Sequence, residues 1–349
     1  MKNKKFKFTT LLFQIVGCNH SCKHCYMPYG EYRYIPLSEA KQIIDNYAQV
    51  YNPPSIAEEA RIYIHNEPTI YPELVELLDY AGSNKIVPVP VVSTNGVGIA
   101  RRDNWKDIIK TFKTHGVKGL NMSLFGESKY HDEFTGCKDS FRDTLEAARR
   151  AKSQELKVHW NLYVFKDNVD QVVHLIEQLP DDSKDICTPS YAENWEKHRN
   201  IHPTMKEINE IPADIIDKYS YWSKRNEYKC SQDKSEAQWV EICSQGDQWK
   251  EYLDPDWGYE SFSLMNLDDD LYDYEVFKPL FKVGNVKNDS LRKLFEDRVH
   301  SSGFIEFQNS DPVQLSQQYG DPHGESLDFF EGIRKKWFLR SIDPKHNKK

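Results

Sequence analysis

The chain has 349 residues, 39% apolar, 13% aromatic and 29% charged, with 46 Lys and Arg against 54 Asp and Glu for a net charge of −8. That length supports a sizeable core, and the aromatic content excludes a disordered chain. An acidic balance without a basic block speaks against nucleic-acid binding, and no apolar run approaches the roughly 20 residues of a membrane span at a mean hydropathy of −0.73.

Taken in chain order, runs rich in β-formers predict strands over 7–16, 60–65, 87–94, 119–124, 157–165 and 185–191. Between them, 37–51, 72–81, 105–115, 140–154 and 169–178 carry helical patterns. In the fourth, Phe141, Leu145, Ala148 and Ala151 form one apolar stripe at 3–4 spacing. Six alternating units call for a parallel sheet with right-handed crossovers, two short of the eight in a closed barrel. The expected fold class is therefore α/β, a partial (β/α)6 barrel with its chemistry at the C-terminal ends of the strands. Residues 1–191 make that core and 192–260 a helical and loop connection. Residues 261–349 make a smaller α+β extension containing a hairpin (262–266 and 271–276) and a helix over 290–299; 343–349 read as a frayed end.

Seven cysteines, an odd number, argue against a complete disulfide framework. Cys18, Cys22 and Cys25 fall within eight residues, whereas Cys137, Cys187, Cys230 and Cys243 are scattered. A lysine-bearing N-terminus, the apolar patch 11–16 and Gly17-Cys18 loosely suggest a lipoprotein signal, but Gln14 and the preceding Thr9 and Thr10 interrupt the apolar region. The expected location is the cytoplasm.

CxxxCxxC directly after the first strand places three soft thiolates on one tight loop, which suits an iron–sulfur cluster or zinc. Structural zinc usually takes two short ligand pairs, and there is no second pair here. Three cysteines on four irons leave one iron open to a ligand. His20 and His24 read as loop residues rather than as a fourth ligand.

At these residues the sequence resembles the radical S-adenosylmethionine (SAM) enzymes. The resemblance implies that Cys18, Cys22 and Cys25 hold a 4Fe–4S cluster whose open iron is chelated by SAM. It also implies reductive cleavage of SAM to a 5′-deoxyadenosyl radical that abstracts a substrate hydrogen, with an electron donor such as flavodoxin or ferredoxin. His65-Asn66-Glu67-Pro68 stands where the family has Gly-Gly-Glu-Pro, so Asn66 and Glu67 are expected at the SAM ammonium. Ser93-Thr94-Asn95-Gly96 resembles the family's Ser/Thr-Asn-Gly turn, placing Ser93 and Asn95 near the polar end of SAM. Met122-Ser123-Leu124-Phe125-Gly126 resembles the strand-four region, with Ser123 toward the ribose or carboxylate; Asn161 on strand five is assigned similarly. No general acid or base is identified.

The hairpin and Val283-Gly284-Asn285-Val286 resemble the SPASM or Twitch extension of the peptide-modifying branch. There is no cysteine after Cys243, so the auxiliary clusters of that extension are expected to be absent. The remaining scattered cysteines read as buried apolar residues. The expected substrate is a peptide, or alternatively a small molecule such as a sugar or aminocyclitol in an epimerase, lyase or dehydrogenase reaction. A non-enzymatic metal-binding scaffold is the third reading.

Overall fold

The computed structural model describes residues 6–25, 33–51, 57–180, 183–189, 200–219, 234–252, 261–265, 270–273, 279–298, 302–325 and 327–342. The expectations for 343–349 and for Cys230 lie outside them.

The first half runs β1 (Phe6–Phe13), α1 (Leu37–Tyr51), β2 (Ala57–Ile64), α2 (Leu74–Ser83), β3 (Ile86–Pro88), β4 (Val91–Ser93), α3 (Val97–Arg101) and α4 (Trp105–Thr114). It continues with β5 (Gly119–Leu124), α5 (Ser128–Thr135), α6 (Ser140–Ser153), β6 (Lys157–Tyr163), α7 (Val169–Gln178) and β7 (Lys184–Cys187). β1, β2 and β3 pair in parallel, as do β4, β5, β6 and β7. This is the expected partial barrel with its helical covering.

The strand expected over 87–94 is two strands. Pro88 and Pro90 bring no N–H to the ladder, and the chain changes partners between them. Val89 N still donates to Ile62 O of β2 at 3.0 Å, while Pro90 O accepts from Lys118 N, just before β5, at 2.7 Å. One extended segment thus hands the wall from β2 to β5.

Along β6, Val158, Trp160 and Leu162 are buried while His159, Asn161 and Tyr163 are half-buried. This period of two divides a helix-covered outer face from a polar inner wall.

After β7 come α8 (Met205–Asn209), α9 (Ala213–Tyr219), β8 (Lys234–Ser235), α10 (Glu236–Ser244), β9 (Ser261–Met265), β10 (Asp270–Asp273) and β11 (Lys282–Asn285). α11 (Leu291–Arg298), α12 (Ser302–Asn309), α13 (Pro312–Tyr319), β12 (Leu327–Asp328) and α14 (Phe330–Ile342) complete the order. The hairpin is present as antiparallel β9 and β10, but its placement was not legible: β9 pairs in parallel with β1, so the C-terminal segment extends the sheet beside the strand that leads to the cysteine loop. The Val283-Gly284-Asn285 segment belongs to β11, at the sheet's edge.

A second core lies in the C-terminal part, where Trp239, Cys243, Phe281, Phe307, Phe330 and Trp337 pack together. Beside it, the buried Glu236 carboxylate receives Lys336 Nζ at 2.5 Å, Trp337 Nε1 at 2.9 Å and Arg340 Nη1 at 2.8 Å. These donors offset the desolvation of a carboxylate inside the protein.

Candidate active site

The cysteine loop leaves the C-terminal end of β1 and is closed at its neck by an antiparallel bridge between Val16 and Tyr34. Gly17 N donates to Arg33 O at 3.0 Å and Ile35 N to Ile15 O at 2.9 Å. The far side is braced by the end of α5: Ser21 N donates to Thr135 O at 2.8 Å and Lys23 N to Phe134 O at 3.0 Å. Gly136, at φ +64°, is required there, since a Cβ would come within 2.3 Å of Ser21 Oγ.

All three loop cysteines are half-buried. Burial, then the nearby charge of Glu67, pushes the Cys18 thiol up to about 12. Burial, then Cys18 and Cys25, pushes Cys22 well above its ordinary value. The thiols are thus close enough to oppose one another's ionisation, and thiolates here require compensating positive charge. Phe125, Phe134 and Phe165 form an apolar cluster against Cys22. The His24 ring lies 4.8 Å from Phe125 and 5.5 Å from both Phe134 and Tyr163.

Two N–H groups reach the first sulfur: His20 N at 3.4 Å and Asn95 Nδ2 at 3.7 Å from Cys18 Sγ. Three soft sulfurs in a largely apolar shell, with N–H donors directed at one of them, fit an iron–sulfur cluster. Among the described residues, no group of three or more His, Cys, Asp and Glu side chains is arranged to hold a single metal ion.

Asn66 and Glu67 follow β2. Asn66 stands at φ +67°, the left-handed region that Asn tolerates better than most residues with a Cβ, which accounts for Asn where the family pattern has glycine. Its Nδ2 donates to Val16 O at 3.1 Å, tying the end of β2 to the neck of the cysteine loop.

Glu67 is fully buried and its carboxylate is taken up by protein donors. Oε1 accepts from Thr69 N at 3.0 Å, from Thr69 Oγ1 and from Thr94 Oγ1 at 2.6 Å; Oε2 accepts from Asn95 N at 2.5 Å. Burial raises its pKa and these donors oppose the rise. The carboxylate thus braces two strand ends.

Asn95 joins the parts. Its Oδ1 accepts from Val97 N at 3.0 Å, starting α3, and its Nδ2 donates to Asn19 Oδ1 at 3.0 Å. Gly96 turns the chain at φ +83°, where a Cβ would meet Ala147 and Met122.

Ser93 ends β4, half-buried, in register with Asn121. Ser123 and Asn161 are register partners on the inner wall, and Asn161 Oδ1 lies 3.8 Å from Cys187 Sγ. The structure therefore draws Cys18, Glu67 and Asn95 into one hydrogen-bonded unit and ties Asn66 to the neck of the cysteine loop, with Ser93, Ser123 and Asn161 along the adjoining wall. Sequence reasoning missed Thr69 and Thr94, because a threonine beside a motif carries no signal until its acceptor is known.

The scattered cysteines that are described lie in three different places. Cys137 is beside the loop, Cys187 is on the inner wall, and Cys243 is in the second core. No helix among the described residues is long and apolar enough to cross a membrane.

Residues 14–179, from the neck of the cysteine loop to the end of α7, match the Radical SAM superfamily. This segment is a radical SAM domain. The cofactors of that superfamily are a 4Fe–4S cluster and SAM. The chain is 23% identical over 213 residues to the antilisterial bacteriocin subtilosin biosynthesis protein AlbA of Bacillus subtilis, a match covering 58% of this chain and 44% of AlbA, less than half of that relative's length. Streptococcus suis SuiB bound to precursor peptide SuiA superposes with a TM-score of 0.56 at 13% identity, covering 92% of this chain and 75% of SuiB. Native anSMEcpe with bound AdoMet and Cp18Cys peptide gives 0.54 at 15% identity, covering 95% of this chain and 96% of that one. At such identities the radical SAM domain and the C-terminal segment share a fold with these proteins.

Proposed function

We propose that the protein is a radical SAM enzyme acting on a peptide, with Cys18, Cys22 and Cys25 as the ligands of its 4Fe–4S cluster. The observation that carries this reading is Asn95, which joins the cysteine loop on β1 to the turn after β4 at the C-terminal end of the barrel. When bound, the cluster and SAM supply a carbon-centred radical able to take a hydrogen atom from substrate.

The chain's own part is to position and to exclude water. The Val16–Tyr34 neck and the α5 contacts hold the three sulfurs, and the aromatic cluster beside Cys22 keeps the loop dry. Asn66 and Asn95 line the SAM side of the loop, Glu67 contributes by fixing Asn95, and Ser93, Ser123 and Asn161 extend that polar surface along the wall. Residues 261–349 take the place of a SPASM-like extension without auxiliary cysteines. A peptide substrate is supported by the bacteriocin relative and by the peptide-bound proteins that share this fold. An extension without cluster ligands lacks a ready electron acceptor, which favours redox-neutral chemistry such as epimerisation.

Anaerobic reconstitution followed by iron, sulfide and 5′-deoxyadenosine assays tests this. About four iron and four sulfide per chain and SAM cleavage are expected. Cys18→Ala, Cys22→Ala or Cys25→Ala should each abolish cleavage, whereas Cys243→Ala should retain it. Stoichiometric zinc without iron, or full activity in a loop single mutant, would sink the reading.

A further inference from the structure

The N–H groups of Gly96, Val97 and Gly98, which open α3, are each met by a side chain. Gly96 N donates to Thr94 Oγ1 at 2.9 Å, Val97 N to Asn95 Oδ1 at 3.0 Å and Gly98 N to Thr69 Oγ1 at 3.0 Å. Each of the two hydroxyls has one proton to give, and both give it to Glu67 Oε1, Thr94 over 2.6 Å. Two threonines thus stand between the start of α3 and one buried carboxylate.

Thr94 adjoins the turn it holds, so its contact is local. Thr69 comes from the 3-10 turn Pro68–Ile70 after β2, 29 residues from Gly98, and is fully buried. Its N–H donates to Glu67 Oε1 at 3.0 Å, and its carbonyl accepts from Arg102 Nη1 at 3.0 Å, just past the end of α3. Gly98 approaches so closely that a Cβ there would overlap Thr69 O, which makes glycine the residue that lets α3 reach this hydroxyl. Thr69 therefore grips α3 at both ends and ties its start to Glu67.

Just before this grip lies the residue that touches the cysteine loop. The Asn95 main chain is fixed on both sides, N donating to Glu67 Oε2 and O accepting from Thr144 Oγ1 at 3.0 Å. Its side chain spans from Val97 N to Asn19 Oδ1, 3.7 Å from Cys18 Sγ. Any shift of the turn 95–98 is carried to the loop through that amide. Without the Thr69 hydroxyl, Gly98 N–H loses its acceptor and Glu67 a donor in a place that water does not reach, so the turn must give.

We propose that Thr69 is a positioning residue for SAM: its hydroxyl holds the turn 95–98 against Glu67 and so sets Asn95 on the SAM side of the cysteine loop. The role toward SAM rests on the function proposed above; the holding of the turn does not.

Isothermal titration of SAM into the anaerobically reconstituted, oxidised protein measures binding without cleavage. Thr69→Val keeps the volume and removes the hydroxyl, whereas Thr69→Ser keeps the hydroxyl. The SAM dissociation constant should rise about ten-fold in Thr69→Val and stay within about two-fold of wild type in Thr69→Ser, at unchanged iron per chain. Thr69→Cys, close in size with only a weak S–H donor, replaces the valine variant if that one fails to fold. Equal constants in all three proteins, equal weakening in the valine and serine variants, or lost iron with unchanged affinity in the loaded protein would overturn the proposal. If the wild type loads iron but binds no SAM, the function proposed above fails and the role toward SAM fails with it. Amide exchange in the protein without a cluster then decides the turn itself. The amides of residues 95–98 should exchange about ten-fold faster in Thr69→Val than in wild type or Thr69→Ser. Equal rates would overturn the holding as well.

Discussion

The Asn95 backbone N–H donates to Glu67 Oε2 over 2.5 Å, while the Asn95 side chain stands 3.7 Å from Cys18 Sγ. One buried carboxylate thus sets the residue that touches the cysteine loop. Glu67→Gln keeps the shape but turns an amide N–H toward the Asn95 N–H. A loss of about 2 kcal/mol in unfolding free energy is expected, with lower iron occupancy after reconstitution. Urea titration and iron analysis check this; unchanged stability and iron would show that the carboxylate braces nothing.

Asn66 combines a left-handed backbone with a bond to Val16 O. Asn66→Gly keeps the backbone and loses only the side-chain bonds, to Val16 O and to His65 Nδ1, so its cost should stay below about 1 kcal/mol. Asn66→Ala loses the bonds and strains the backbone, for about 2 kcal/mol. Denaturation midpoints that rank Ala above Gly would contradict the assignment.

Gly136→Ala should displace the cysteine loop by forcing a Cβ onto Ser21 Oγ. Ser21 Cβ lies at an ordinary 3.6 Å from that position, so adding Ser21→Ala removes the clash and leaves the backbone strain. The double variant should recover part of the iron loading lost in the single one. Additive losses would mean that the two residues do not meet in solution.

Burial, with His20 nearby, pulls the His131 pKa down to about 3 from 6.5. The unfolded chain takes up this proton near pH 6.5 and the folded one only near 3. The stabilisation is therefore complete above 6.5 and is lost as the pH falls through that window. In His131→Gln, the slope of stability against pH between 6 and 4 should be shallower by about 1.4 kcal/mol per unit. Equal slopes from urea titrations at several pH values would rule this out.

The sequence by itself determined the partial barrel and the cysteine loop, because both are local codes. Periods of 2 and 3.6 mark strands and helices, and three thiols within eight residues share one loop however the rest folds. The turns at Asn66 and Gly96 are equally local, since left-handed backbone favours Asn and Gly. What only the tertiary structure decided depends on partners far apart in sequence. Glu67 reads as a SAM contact from its motif alone; that its carboxylate is also taken up by Thr94 and Asn95, some thirty residues on, is decided by the packing. The hairpin near residue 265 gives no sign that its first strand lies beside β1, because backbone pairing leaves no residue code for the partner. The burial of His131 is likewise a property of the packing alone.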